Sequence, residues 1–285
     1  MKLSRAQEYG RKFGFKRAYD HVETMLQQEK PDAVFLVIPP QLTATVAAEI
    51  IKGRFPLFLE KPPGLDSQEL NQLITLAEQT DTLTQVGFNR RYMPLIQAGK
   101  EVIREKFSSI FQVDYQLIRY NRHDPDFSVT AIHAIDTAHY LAGSSYRHVE
   151  LDYHKVVDAC GCATNVTLRA ECVSGAQIRL NIQPVAGHIS ETVAVHGNGQ
   201  TLVLNLGGAE QNEPGQLFYY ERDKLKDHRI DASTSIEEKQ GVTNELEAFC
   251  CAVHSHAKTS PCLAECVQQV ALMTAIRRQV SSVRF

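Results

Sequence analysis

Residues 57–66, LFLEKPPGLD, end an apolar stretch on a glutamate and a lysine and continue with two prolines. Proline fixes the backbone φ at about −65° and tolerates a cis peptide bond before it, so Pro62 and Pro63 hold Lys61 in place. A lysine in this setting is held in place rather than mobile. The alternative is an ordinary solvated loop lysine, and position alone leaves both interpretations open.

A second candidate group lies in SVTAIHAIDTAHYLAG, residues 128–143, where His133 and Asp136 are three residues apart and Tyr140 follows one turn later. On a helix this spacing places the imidazole and the carboxylate on one face. A surface histidine bonded to a carboxylate for local stability is the simpler interpretation of the pair taken alone.

The segment Tyr120-Asn121-Arg122-His123 follows a strand-like run and offers donors suited to a polyhydroxylated ligand. A polar loop without a ligand explains the same residues. Asn121 and Arg122 are therefore candidates for substrate binding that need support from the rest of the chain.

The elements that must position these groups alternate over the first 90 residues. Three apolar runs are typical of strands buried on both faces of a parallel sheet: AVFLVI (33–38), FPLFLE (55–60) and LTQVGF (83–88). Helical spacing covers residues 42–53 and 66–80, with Gly53 as a C-cap and Asp66 or Ser67 as an N-cap. Strand–helix–strand–helix–strand predicts a doubly wound α/β sheet.

From about residue 110 onward strands follow one another directly. Strand patterns cover 110–120, 148–157, 163–173, 176–184, 191–197 and 201–206. The Gly197-Asn198-Gly199 turn joins the last two as a hairpin. A helix over 128–143 and two terminal helices, over 243–257 and 262–280, complete the pattern. The second part of the chain is therefore predicted to be α+β, with a large open, mostly antiparallel sheet.

Ligands of an open parallel sheet bind beyond the carboxyl ends of its strands. Those ends carry Pro39-Pro40-Gln41, Glu60-Lys61-Pro62 and Asn89-Arg90-Arg91-Tyr92. Lys61 is thus expected at the edge of the sheet where ligands bind.

Composition excludes several other classes of protein. The formal charge is −3, with 43% hydrophobic and 22% charged residues, so nothing indicates binding to nucleic acid or to a membrane. No apolar run approaches the roughly 20 residues that span a bilayer. The seven cysteines, which include Cys160-x-Cys162, match no zinc spacing and are expected to be reduced thiols. We expect a cytoplasmic protein that binds no metal.

Six segments occur in the order found in the Gfo/Idh/MocA family of NAD(P)-dependent oxidoreductases, which the chain resembles over nearly its whole length. They are KPDAV (30–34), IPP (38–40), EKP (60–62), VGFNRRY (86–92), IHAID (132–136) and NELEAF (244–249). Each segment is weakly specific alone, and the set of six is specific.

The resemblance implies that Lys61 and His133 are the catalytic pair of a dehydrogenase acting on a sugar, cyclitol or related polyol. Hydride would pass between a carbinol carbon and NAD or NADP, with His133 as general base and Lys61 hydrogen-bonded to the reacting oxygen. Cofactor contacts are expected from Ile38, Pro39, Pro40, Glu60, Lys61 and Arg91. Substrate contacts are expected from Lys61, Asn121, Arg122 and Asp136.

Two departures from the family pattern matter. Many members carry an aspartate four residues before the histidine, where this chain has Val129. The sequence also has no G-x-G-x-x-G, the turn whose backbone N–H groups grip a pyrophosphate. About one 30-residue βαβ unit is thus expected to be missing, and weak or absent binding of NAD is expected for this chain.

Three explanations of the second departure stay open. The full protein is an ordinary dehydrogenase with a longer N-terminus; or the chain is a non-catalytic ligand-sensing or partner-binding module; or another chain supplies the missing strands. Residues 1–93 are interpreted as an incomplete dinucleotide-binding domain. Residues 94–285 are interpreted as an α+β domain for substrate binding and for assembly into a homo-oligomer.

Overall fold

The computed structural model describes residues 3–158, 161–207 and 214–285, which form two compact units. Unit 1 contains residues 3–87 and 249–267, and unit 2 contains residues 88–248 and 268–285, with those gaps. Residues 249–267 belong to the first unit although they lie far along the chain. The predicted domain division at residue 93 stays a prediction.

Unit 1 is built on a parallel sheet of three strands in the order β1-β2-β3. The strands are β1 (Val34–Leu36), β2 (Leu57–Glu60) and β3 (Thr84–Gly87). The helices that precede and connect them are α1 (Leu3–Phe13), α2 (Val22–Glu29), α3 (Pro40–Lys52) and α4 (Ser67–Thr80). The predicted strand–helix–strand–helix–strand order is confirmed, and α3 ends at Gly53 as expected.

The two edges of this sheet differ. On the β3 side, the carbonyl oxygen of Pro261 accepts a hydrogen bond from the Val86 N–H at 2.8 Å, and the Thr259 hydroxyl donates to the Thr84 carbonyl at 2.6 Å. On the other side, β1 pairs with β2 alone among the described strands, and Phe35 is 45% exposed. Among the described residues of unit 1, the 259–261 segment covers the β3 edge of the sheet, and no strand covers the β1 edge.

Unit 2 is built on a nine-stranded sheet in the order β11-β10-β9-β8-β4-β7-β6-β5-β12. Its strands are β4 (Ile110–Ile118), β5 (Tyr146–Asp158), β6 (Gly161–Cys172), β7 (Gln177–Gln183), β8 (Ser190–Gly197), β9 (Gln200–Asn205), β10 (Gln216–Glu221), β11 (Lys224–Ile230) and β12 (Ser282–Arg284). Every pairing is antiparallel except that of β4 with β7. The predicted large, mostly antiparallel sheet is confirmed, and the parallel pair makes it a mixed sheet.

The remaining helices are α5 (Pro94–Lys106), α6 (Ser128–Ala142), α7 (Ile236–Lys239), α8 (Val242–Ser255) and α9 (Val267–Arg277). The predicted final helix over 262–280 is instead a short 3₁₀ turn, Leu263–Cys266, followed by α9. Helix α2, strands β10 to β12 and the turn Asn89–Tyr92 lay outside the sequence patterns.

The core of unit 2 lies between one face of the sheet and helices α5, α6 and α9. Strand β8 shows the cause: its residues alternate between buried and partly exposed positions, which places Val193 and Val195 inward. Helix α6 has eleven buried residues out of fifteen, as expected of a helix surrounded by protein. A residue on α6 is therefore held on several sides.

No helix of the described chain is long and apolar enough to cross a membrane. The six cysteines within the described ranges form no disulfide, and Cys160 lies outside those ranges.

Candidate active site

The carboxyl edge of the unit 1 sheet carries Lys61 directly after β2. The Lys61 side chain is half-buried, whereas Pro62, Pro63 and Gly64 are buried, and the Lys61–Pro62 peptide bond is cis. Burial of the segment that follows separates this lysine from one on a solvated loop. The backbone at Lys61 is therefore held by buried neighbours, and its role as a donor stays a prediction.

Short-range hydrogen bonds hold the loop between Lys61 and α4. The Asp66 carboxylate caps α4 by accepting from the N–H groups of Gln68 at 2.9 Å and Glu69 at 3.0 Å. Glu69 Oε2 accepts in turn from the Leu65 N–H at 2.7 Å. Gly64 packs so closely on α4 that a Cβ there would lie 3.1 Å from the Glu69 Cβ. The loop is therefore fixed by partners within five residues.

Glu60 faces the next strand and helps to shape this edge. Its Oε2 accepts from the Lys61 N–H at 3.0 Å. Burial raises the pKa of the Glu60 carboxyl, and the Lys61 charge acts in the opposite direction. Gly87, its partner in register on β3, leaves room for this carboxylate, because a Cβ at Gly87 would lie 3.1 Å from Glu60 Oε2.

A dinucleotide needs backbone N–H donors for its pyrophosphate and a polar group beside its reacting end. Helix α3 starts at the carboxyl end of β1 with Pro39 as N-cap and Pro40 as first residue, and neither offers an N–H. Lys61 supplies a donor at the carboxyl end of β2. The described edge thus fits the reacting end of a dinucleotide and does not by itself fit the pyrophosphate.

His133 lies in the second turn of α6 in unit 2 and is 8% exposed. Its ring and the ring of Phe88 pack edge to face, with ring centroids 6.2 Å apart and ring planes at 88° to each other. The start of the helix is fixed by Asp126, whose carboxylate accepts from the N–H and the hydroxyl of Ser128. His133 is therefore a buried side chain on an anchored helix rather than a surface histidine.

Arg91 and Asp136, predicted as cofactor and substrate contacts, bind each other inside unit 2. Arg91 Nη2 donates to Asp136 Oδ1 at 2.6 Å, and Arg91 Nε donates to Oδ2 at 2.9 Å. Asp136 is fully buried and Arg91 is 6% exposed. Their ligand roles stay predictions, and this fork-to-fork pair points to another role, argued below.

Asn121 and Arg122 lie on an exposed turn after β4. Asn121 has φ +52°, and the Arg122 guanidinium pairs with Asp124 at 2.7 Å. The turn is joined to the segment after β7, since the Arg122 N–H donates to the Pro184 carbonyl at 3.0 Å. Both side chains are accessible to a ligand, and their role in substrate binding stays a prediction.

Sequence patterns missed a buried charged cluster at one end of β4 and β8. The Glu191 carboxylate accepts from Arg90, from Arg119 and from the Tyr115 hydroxyl, with Arg90 Nη2 at 2.9 Å from Oε2. Burial alone would raise the pKa of Glu191, but the arginines hold it at about 2. A signal was present in ETVAVHG, where Glu191 is in phase with the inward residues Val193 and Val195.

Lys61 belongs to unit 1 and His133 to unit 2. Each is described within its own unit, so their action as a pair stays a prediction. Within the described residues, no group of three or more His, Cys, Asp or Glu side chains is arranged to hold a metal ion.

A parallel sheet with helices between its strands, followed in the chain by a unit with a large mixed sheet, defines a Rossmann-type architecture. Residues 2–88 match the sequence model described as "Oxidoreductase family, NAD-binding Rossmann fold". This stretch of the chain is therefore similar to the Gfo/Idh/MocA oxidoreductases.

Known relatives agree with this assignment. The inositol 2-dehydrogenase of Rhizobium meliloti (strain 1021) is 24% identical over 276 residues, which cover 89% of this chain and 79% of that enzyme. The inositol 2-dehydrogenase of Corynebacterium glutamicum (strain R) is 21% identical over 220 residues, covering 72% and 64%. The chain thus spans between about two thirds and four fifths of the length of these relatives.

Solved structures share the fold. Levoglucosan dehydrogenase, solved in complex with NADH and L-sorbose, superposes with a TM-score of 0.83 at 18% identity, covering 99% of this chain and 87% of that chain. At this identity the likeness establishes the fold, and the predicted fold class is confirmed.

Proposed function

We propose that this protein is an NAD(P)-dependent dehydrogenase that oxidises a carbinol of a sugar, cyclitol or related polyol. The observation that carries the proposal is Lys61, half-buried at the carboxyl end of β2, within the stretch 2–88 that matches an oxidoreductase family; hydrogen bonds fix the loop that follows it. The relatives named above are dehydrogenases of inositol and levoglucosan, which supports a polyhydroxylated substrate.

In the proposed reaction, His133 accepts the proton of the substrate hydroxyl while Lys61 donates a hydrogen bond to the same oxygen. The C–H electron pair leaves as hydride, for which the nicotinamide ring, when bound, is the acceptor, and the carbinol becomes a carbonyl. Negative charge develops on the oxygen only as the proton and hydride leave, so the Lys61 ammonium stabilises the transition state more than the ground state.

The other predicted contacts complete the proposal. Asn121 and Arg122 would bind substrate hydroxyl groups from the exposed turn after β4. Ile38, Pro39, Pro40 and Glu60 would line the cofactor at the carboxyl edge of the sheet. Assembly as a homo-oligomer in the cytoplasm is part of the same proposal.

The test is hydride transfer to NAD or NADP, followed at the nicotinamide absorbance with a panel of sugars, cyclitols and sugar acids. We expect Lys61→Met and His133→Asn each to lower kcat by about 10²- to 10⁴-fold, the usual contribution of a positioned proton-transfer group or charge. Lys52→Met is the matched control, because Lys52 is an exposed lysine at the end of α3 in the same unit. A near-normal rate for Lys61→Met would remove Lys61 from the catalytic role.

A second candidate function is a non-catalytic ligand-sensing or partner-binding module. It is favoured by one observation: α3 begins with Pro39 and Pro40, which offer no N–H group to a pyrophosphate. Titration of NADH separates the two candidates: polyol binding without NADH binding and without turnover supports the module, whereas turnover that depends on Lys61 excludes it.

A further inference from the structure

Two residues of the segment that follows β3 touch two residues of α6 with matching spacing. Phe88 contacts the ring of His133, and Arg91, three residues further on, binds Asp136, three residues after His133. Residues three apart on a helix lie on one face. The first and last residues of the segment 88–91 therefore contact the two ends of one turn of α6.

The Arg91–Asp136 pair is the stronger of the two contacts. The guanidinium and the carboxylate are joined by two hydrogen bonds, and neither group is accessible to bulk water. A forked pair of this kind fixes orientation as well as distance. Arg91 also lies over the ring of Tyr140, 5.3 Å from its centroid, one further turn along α6.

Gln269 of α9, which is distant from Asp136 in the sequence, also binds the Asp136 carboxylate. Its Nε2 donates to Asp136 Oδ1 at 3.1 Å and lies 3.2 Å from His139 Nδ1. The Gln269 side chain is fully buried, and its Oε1 has no hydrogen-bond partner within the described residues. Leaving a buried acceptor such as Oε1 unbonded costs free energy. The amide nevertheless turns its Nε2 toward Asp136, so the hydrogen bond to Asp136 sets its orientation.

We propose that Arg91, Asp136 and Gln269 are positioning residues: their buried network seats the segment 88–91 against α6, so that Phe88 holds the ring of His133 in one orientation. The proposal rests on the proposed function for the claim that His133 is the base, and on the contacts alone for the claim that the ring is positioned. It is an alternative to the expectation that Arg91 contacts cofactor and Asp136 contacts substrate.

The hydrogen bonds that the Asp136 carboxylate already accepts support a positioning role over a ligand role. Asp136 already accepts three hydrogen bonds, two on Oδ1 and one on Oδ2, and has no exposed surface. A substrate hydroxyl would have to displace Arg91 or Gln269 to bind it, which would leave a buried donor unsatisfied.

The first test observes the His133 ring directly and needs no activity. In protein labelled with ¹³Cε1-histidine, the His133 signal is identified by its absence from His133→Asn. We expect it to shift or to split into several signals in Asp136→Asn and in Gln269→Met, both checked for folding by circular dichroism. Gln269→Met removes one donor only, so it decides the question if Asp136→Asn fails to fold.

Gln268→Met is the matched control. Gln268 is the neighbouring residue and makes two hydrogen bonds of similar length, to the N–H and the carbonyl of Tyr146 rather than to Asp136. We expect a lower melting temperature in this variant with the His133 signal unchanged. Folded Asp136→Asn or Gln269→Met with an unchanged His133 signal would overturn the positioning role.

The second test uses kinetics to separate the two proposals. Displacement of a reacting group by about 1 Å can lower the rate by about 10²-fold, so we expect kcat to fall by up to that factor in Gln269→Met with KM little changed. If Asp136→Asn or Gln269→Met raises KM and leaves the His133 signal of the substrate-free protein unchanged, the result would instead support Asp136 as a substrate ligand. If the wild-type protein transfers no hydride, the proposed function fails, and the histidine spectra still decide the positioning role.

Discussion

The loop that carries Lys61 and the helix turn that carries His133 are held by different kinds of contact. The loop is fixed by hydrogen bonds that join residues no more than four positions apart, from Lys61 to Glu60 and from Leu65 to Glu69. The helix turn is fixed by bonds between residues 45 and 133 positions apart, from Arg91 and Gln269 to Asp136. Local hydrogen bonds thus fix the loop of Lys61, whereas long-range contacts of buried charged groups fix the helix turn of His133.

The difference has an energetic consequence. Partially exposed local bonds exchange easily with water, so each contributes little net free energy. A buried ion pair contributes little in total but is costly to break, because the remaining charge is left unpaired in a dry site. We therefore expect single substitutions to have small effects around Lys61 and large effects among the buried charges of unit 2.

The largest effect is expected for Glu191→Gln, which leaves Arg90 and Arg119 buried without a counter-charge. The free energy of unfolding in urea at pH 7 should fall by about 3–5 kcal/mol. Glu171→Gln, which breaks a half-exposed pair with Arg147, is the control and should cost less than about 1 kcal/mol. Equal losses in the two variants would contradict the contrast drawn here.

The same carboxylate predicts a pH dependence. Its pKa is about 2 in the folded protein against an ordinary 4.5, so the folded state favours the ionised form. This stabilisation, about 3 kcal/mol, is fully present above pH 4.5 and is lost as the pH falls through 2. Urea unfolding between pH 5 and 2 should show a smaller loss of stability in Glu191→Gln than in the wild type, and parallel curves would exclude this contribution.

A smaller effect is expected for Gly87→Ala in unit 1. The new Cβ would lie 3.1 Å from Glu60 Oε2 and 3.2 Å from Phe58 Cζ, so neighbouring strands must shift. The unfolding free energy should fall by about 1–3 kcal/mol. Gly187→Ala, where nothing lies within 4 Å of the added Cβ, should change it by less than about 0.5 kcal/mol. A neutral Gly87→Ala would show that Glu60 is free to move.

The N-cap of α4 tests the local contacts that fix the Lys61 loop. Asp66→Ala removes the acceptor for the Gln68 and Glu69 N–H groups and should cost about 1 kcal/mol in urea unfolding. Asp66→Asn keeps an acceptor oxygen and should retain most of the stability. A loss in Asp66→Asn as large as that in Asp66→Ala would mean that the charge, rather than the cap, is responsible.

The smallest effect on stability is expected for Arg122→Ala. Its pair with Asp124 has side chains 43% and 38% exposed, so the unfolding free energy should change by less than about 0.5 kcal/mol. If Arg122 binds substrate as proposed, KM should rise in this variant. Arg104→Ala, which breaks a more exposed pair on α5, should leave KM unchanged. An unchanged KM in both would remove Arg122 from the substrate site.

Much of the fold follows from local pattern. The apolar runs at 33–38, 55–60 and 83–88 contain β1, β2 and β3, and Asp66 caps α4 as its side chain predicts. The final helix was predicted too long, because the apolar spacing of 262–280 continues through the 3₁₀ turn Leu263–Cys266. Periodicity reports which residues face inward but not where the backbone changes its hydrogen-bonding pattern.

The sequence by itself determined the two sheet types, the resemblance of residues 2–88 to an oxidoreductase family and the prolines that fix the backbone after Lys61, because each depends on residues close together in the chain. Only the tertiary structure decided that Asp136 binds Arg91 and Gln269, and that Glu191 binds Arg90 and Arg119. A buried charge must find an opposite charge, and the chain offers many candidates at every distance. The choice among them is made when helices and strands distant in sequence pack together.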